Sequence, residues 1–182
     1  MKPRSHDPLR LDMAAFAADG GELAGAWPGA DLARLAELQA PPQDAALAEI
    51  RWSAQGELRP VTGGEPELWL MLQADTSAWL TCQRCLQPMA EPLAVDTRIR
   101  FVRGEAQAEA LDGEEDYDVL ALARSLDLRA QVEDELLLAL PIVPRHEVCP
   151  QPLAVAAEPD ADEAAPRENP FAALAALRGK GG

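Results

Sequence analysis

The clearest pattern in the chain is a switch of hydrophobic period. From residue 46 to 55, Ala46, Ala48, Ile50, Trp52 and Ala54 alternate with Leu47, Glu49, Arg51, Ser53 and Gln55, which predicts a half-buried strand. After Gly63-Gly64, the run from Glu67 to Gln73 is apolar on both faces, as a central strand requires. Asp75-Thr76-Ser77 then predicts a turn, and Trp79-Leu80-Thr81 a short strand. Leu93, Val95, Thr97, Ile99 and Phe101 alternate with Ala94, Asp96, Arg98, Arg100 and Val102. Strands over about 46–103 joined by short turns predict an antiparallel meander, open or barrel-like, in a domain of the α+β class.

Helical spacing flanks these strands. Leu32, Leu35 and Leu38 form a stripe within 31–39, with Asp31 as N-cap and Pro41-Pro42 as the stop. Leu9, Leu11 and Met13 alternate like a short strand. Leu128, Val132, Leu136 and Leu140 recur every fourth residue, so 127–140 should be the main core helix, capped by Asp127 and ended by Pro141. Its neighbours Glu133, Asp134 and Glu135 point about 100° apart and cannot converge on one ion, so they predict a solvated polar face. Residues 104–116 are small, acidic and without period, which predicts a flexible loop, and Tyr117 to Leu120 predicts a short edge strand.

Length and composition then bound the organisation. A chain of 182 residues with 48% hydrophobic content can bury one sizeable core, so 1–149 is expected to be a single domain. Residues 150–168, with four prolines and five acids, predict a tether. In 169–182 the character changes: Asn169 can cap, Pro170 suits the first helical position, and Phe171, Leu174 and Leu177 form an apolar stripe. A tethered amphipathic helix of this kind either docks on a partner or folds back on its own domain.

Charge changes the list of partners. The net charge of −15 disfavours a nonspecific grip on polyanions. It is uneven, with 17 acids and 4 bases in 104–168 but 5 acids and 4 bases in 61–103. Arg84, Arg98, Arg100 and Arg103 form either a local positive face for RNA or a partner, or a solvated strand face shared with Asp96. The start of the chain carries no apolar segment of signal-peptide type and the longest apolar run is broken by Pro141, so a cytoplasmic protein without a membrane partner is expected.

The candidate chemistry lies in sulfur. Cys82 and Cys85 stand two residues apart between predicted strands, and His146 and Cys149 repeat that spacing downstream. If the two pairs meet they supply four ligands for a structural zinc ion. The other readings are a hairpin with two half-buried thiols and a free Cys149, or a redox pair, although no thioredoxin-like parallel unit surrounds the motif. No nucleophile elbow and no phosphate-cradling glycine loop is present, so no catalytic residue or small-molecule substrate is assigned.

Three segments together resemble a known family. Cys82-Gln83-Arg84-Cys85-Leu86, the helix end Leu136-Leu137-Leu138-Ala139-Leu140-Pro141-Ile142-Val143-Pro144, and Asn169-Pro170-Phe171 occur in the order found in the YceD family of large ribosomal RNA subunit accumulation proteins. The resemblance covers about 60–178. It implies a bacterial factor needed for synthesis, processing or stability of 23S ribosomal RNA, with no catalytic residues to carry over. The expected function is therefore non-catalytic binding of an rRNA precursor or of a basic ribosomal or assembly protein. The alternative is a zinc-dependent or thiol-redox enzyme using the Cys82/Cys85 knuckle. Candidate RNA- or partner-binding residues are Arg84, Arg98, Arg100, Asn169, Pro170, Phe171 and Leu174.

Overall fold

The structure, a computed structural model, describes residues 5–113 and 116–150. The tether beyond Pro150 and the helix expected at 169–182, with Asn169, Pro170, Phe171 and Leu174, lie outside the described residues.

Asp12 opens the first helix, its carboxylate accepting the N–H of Ala15 at 3.0 Å. This helix, α1 (Met13–Ala18), buries Met13, Phe16 and Ala17. The alternation at Leu9, Leu11 and Met13 does not make a strand: Leu11 pairs alone with Leu126, and the Asp12 cap turns the chain into a helix. Next comes β1 (Glu22–Trp27), then a 3-10 turn at Gly29–Asp31 and α2 (Ala33–Leu38). β1 escapes periodicity because its Ala-Gly-rich edge is largely exposed. Asp31 is not the cap of α2, since it sits in the 3-10 turn and the N-cap residue is Leu32, without a side-chain bond.

Three long strands follow, β2 (Ile50–Arg59), β3 (Glu67–Thr81) and β4 (Pro88–Val102). β2 begins four residues later than the alternation predicts. β3 runs straight through Asp75-Thr76-Ser77, where a turn is expected, because β4 pairs with it without a break from Leu68↔Phe101 to Thr81↔Pro88. At about 3.3 Å per residue, a 15-residue strand is about 50 Å long. β2 covers only Glu67 to Asp75 of it, so the far ends of β3 and β4 project as a two-stranded ribbon. The chain leaving α2 braces this ribbon: Ala40 N–H donates to the Trp79 carbonyl at 2.8 Å, and Trp79 N–H to Gln39 Oε1 at 2.9 Å.

The expected loop at 104–116 contains a helix, α3 (Glu105–Asp112), whose buried Ala108 packs with Val102 and Val119. It leads into the edge strand β5 (Asp118–Ala121), which joins β4 in parallel. The sheet is therefore mixed and open, in the order β1-β2-β3-β4-β5. Its class is α+β.

One face of the sheet carries the core. Even positions of β3, including Leu68, Leu70, Leu72, Ala78 and Leu80, are buried, opposite Met89, Leu93, Ile99 and Phe101 of β4. The last helix, α4 (Leu128–Leu138), lies on β3 and β4 and against α2. Leu128, Val132 and Leu136 are all 0% exposed, as their four-residue spacing requires. Asp127 caps α4 by accepting the N–H groups of Arg129 and Ala130. Glu133 and Glu135, expected on a solvated face, are buried, because α2 packs beside the helix and supplies donors to Glu133.

Candidate metal centre

The ladder of β3 and β4 closes at Thr81↔Pro88, leaving six residues to turn the ribbon. Cys82 N–H donates to the Gln87 carbonyl at 3.0 Å, and Leu86 N–H to the Cys82 carbonyl at 2.9 Å. Leu86 takes φ of 59°, a left-handed conformation that a branched side chain rarely adopts and that folds the tip back on itself. This knuckle directs both sulfurs to the covered side: Cys82 is 0% and Cys85 1% exposed.

The second half comes from the chain after α4. Pro141 prevents the helix from continuing, and Gln83 N–H holds the Pro144 carbonyl at 2.9 Å, laying this segment along the knuckle. His146 Nδ1 then lies 3.4 Å from Cys85 Sγ, and Cys149 Sγ 3.9 Å from Cys82 Sγ. All four ligand atoms lie within 4.8 Å of one another. The two pairs therefore meet, and among the described residues they could hold one metal ion.

Arg84, between the two cysteines of the knuckle, grips the arriving segment. Its Nε donates to Cys149 Sγ at 2.9 Å, and one terminal nitrogen donates to the carbonyls of His146 (2.8 Å) and Glu147 (3.1 Å). Burial pushes the Cys82 thiol up, but backbone N–H groups of His146, Arg84 and Cys85 directed at the sulfur outweigh it and lower its pKa to about 5. Cys85 is raised, first by burial and then by the neighbouring sulfurs.

The family model described as large ribosomal RNA subunit accumulation protein YceD matches residues 70–178. The chain belongs to the YceD family. The YceD match begins inside β3 and takes in β4, α4 and all four candidate ligands, but not α1, β1, α2 or β2. The large ribosomal RNA subunit accumulation protein YceD of Haemophilus influenzae is 38% identical over 108 residues, 56% of this chain and 60% of that protein. The chain thus spans about three-fifths of the length of this relative. No solved structure matches.

Within the YceD fold, the arginines named as a possible positive face part company. Arg84 is committed to the knuckle. Arg100 pairs with Glu67 at 2.9 Å and reaches Tyr117 at 3.4 Å. Arg103 lies 3.7 Å from Glu65. Arg98 is exposed, opposite Met71 and near Asp96 and Gln73 on the outer face of the sheet. The clamp made by Arg84 is the contact that sequence reasoning missed, since nothing local connects residue 84 to residues 146–149. No helix among the described residues is long and apolar enough to cross a membrane.

Proposed function

We propose that this chain is a non-catalytic factor for accumulation of large-subunit (23S) ribosomal RNA in the bacterial cytoplasm, acting by binding an rRNA precursor or a basic protein that assembles with it. The match to the YceD family over residues 70–178 carries this reading. Charge and geometry support this mode of action. A molecule with net charge −15 is drawn to a basic ribosomal or assembly protein more readily than to naked RNA. The groups with chemical potential are already committed to the fold: the four Cys/His donors face one another, and Glu133 is bonded to α2.

The alternative, a zinc-dependent or thiol-redox enzyme, draws on the lowered pKa of Cys82 with Cys149 Sγ 3.9 Å away. Against it stands the use of all four donors on one another, which leaves no free ligand position for a substrate. The test is depletion of the protein in its own bacterium, followed by the ratio of 23S to 16S ribosomal RNA and by crosslinking to identify bound RNA and protein. The ratio should fall and a basic assembly protein or precursor RNA should be captured. An unchanged ratio, or purified protein that cleaves RNA or turns over disulfides, would reject the proposal.

A further inference from the structure

We infer that Cys82, Cys85, His146 and Cys149 form a closed structural zinc(II) site, with Arg84 as its positioning residue. This goes beyond the proposed role in ribosomal RNA accumulation and does not depend on it.

With Zn–S of about 2.3 Å and Zn–N of about 2.0 Å, a tetrahedron places two sulfurs about 3.8 Å apart and a sulfur and a nitrogen about 3.5 Å apart. The observed separations are 3.9 Å for Cys82 Sγ to Cys149 Sγ and 3.4 Å for Cys85 Sγ to His146 Nδ1. The remaining separations lie within 4.8 Å, so drawing all four atoms onto one ion takes shifts of about 1 Å or less.

Competing explanations account for less. A Cys82–Cys149 disulfide requires sulfurs about 2.05 Å apart, and it leaves the approach of His146 to Cys85 without a reason. Simple burial of three cysteines explains neither an imidazole nitrogen turned onto a sulfur nor a guanidinium 2.9 Å from another. The protein also directs the His146 N–H at Cys82 Sγ, an arrangement suited to a thiolate ligand.

Charge completes the site. Three thiolates and one zinc(II) carry a net −1, and Arg84 brings the assembly to neutrality from its contact with Cys149. The same guanidinium fixes the carbonyls of His146 and Glu147, so one side chain holds the loop that delivers half of the ligands. Soft thiolates with one imidazole in tetrahedral array exclude magnesium and calcium and favour zinc. Four protein ligands make the site structural, tying the ribbon tip to the segment that follows α4.

The experiment uses the full chain, purified under reducing conditions. Elemental analysis should find one zinc per chain, and titration of metal-free protein with cobalt(II) should give the visible bands of a tetrahedral thiolate site. Cys149→Ser and His146→Ala should each abolish stoichiometric binding. Arg84→Ala should keep the tetrahedral spectrum but weaken zinc binding about 10- to 100-fold, with partial recovery in Arg84→Lys. Because ligand variants can misfold, the wild-type chain is also melted with and without a zinc chelator, and the midpoint should fall on chelation. A wild-type chain that takes up no zinc and gives no tetrahedral cobalt spectrum overturns the site. A chelator-insensitive midpoint overturns its structural role, and unchanged affinity in Arg84→Ala overturns the assignment of Arg84.

Discussion

Glu133 and Arg34 are joined by backbone and side chain together across 99 residues of sequence. Glu133 Oε1 accepts the Arg34 N–H at 2.7 Å, and Oε2 accepts its Nε at 2.9 Å. The same Oε1 also takes the N–H of Leu35 at 3.1 Å. Those two N–H groups belong to the first turn of α2, whose own N-cap residue, Leu32, has no side chain able to serve them. A carboxylate from α4 therefore caps α2 from outside, next to the positive end of its dipole.

Glu133→Ala should destabilise the domain by about 2–3 kcal/mol, because it leaves buried backbone donors without a charged acceptor. Glu133→Gln should recover only part of this loss, since its amide oxygen can still accept both N–H groups but its NH2 would face Arg34 Nε, donor against donor. The urea midpoint at constant m-value measures both. A shift in Glu133→Ala no larger than that of a surface substitution would show that water caps α2 instead.

Packing beneath the sheet is tight where α1 crosses β2. A Cβ on Gly56 would lie 2.7 Å from Phe16 Cδ1 and 2.9 Å from both Cα and N of Ala17. The ring can move but the Ala17 backbone cannot, so Gly56→Ala should destabilise by about 1–3 kcal/mol, and shortening Phe16 should not rescue it. Leu136→Ala, at 0% exposure, should cost about 2–5 kcal/mol, whereas Leu138→Ala, at 79%, should stay within about 0.5 kcal/mol. Thermal or urea unfolding of the three variants tests the α1–β2 contact and, through the two leucines, the assignment of the two faces of α4.

Local pattern made much of this legible and long-range contact hid the rest. Leu128, Val132 and Leu136 announce α4, and Asp127 and Pro141 bound it, because each signal acts within one or two turns. The alternation from Leu93 to Phe101 announces β4 for the same reason. Asp75-Thr76-Ser77 reads as a turn in isolation but is carried through as strand by its pairing with β4. The exposed Ala-Gly strand β1 and the acidic helix α3 carry weak apolar patterns, and their form comes from neighbours. At the knuckle, each pair of ligands is visible from its spacing. That they meet depends on the bonds from Gln83 and Arg84 to the 144–149 segment, which is joined to them only in space.

Glu135 gives a pH test of the packed face of α4. Burial raises its pKa, the charges of Asp118 and Asp134 raise it further, and the Gln131 amide at 2.9 Å opposes them. A carboxyl whose folded pKa lies above its unfolded value holds its proton more tightly in the native state. Its ionisation therefore subtracts stability above the folded pKa, and the loss disappears as pH falls below the unfolded value. Glu135→Gln should accordingly match or exceed wild type in stability at pH 7, with the difference shrinking on acidification. A variant less stable than wild type at pH 7, with a gap independent of pH, would mean that the carboxylate is favoured where it lies.

The C-terminal stripe of Phe171, Leu174 and Leu177 lies outside the described residues. An apolar stripe following a proline-rich acidic stretch suits a docking element, and the family match extends through residue 178. Deletion of 169–182 should weaken co-sedimentation with large-subunit precursor particles while leaving the melting midpoint of the remaining chain unchanged. Phe171→Ala with Leu174→Ala should reproduce the weakening without shortening the chain, which separates loss of apolar contact from loss of length. Undiminished co-sedimentation of both variants would assign binding to the 1–149 domain, while a lowered midpoint would favour a stripe folded back on that domain.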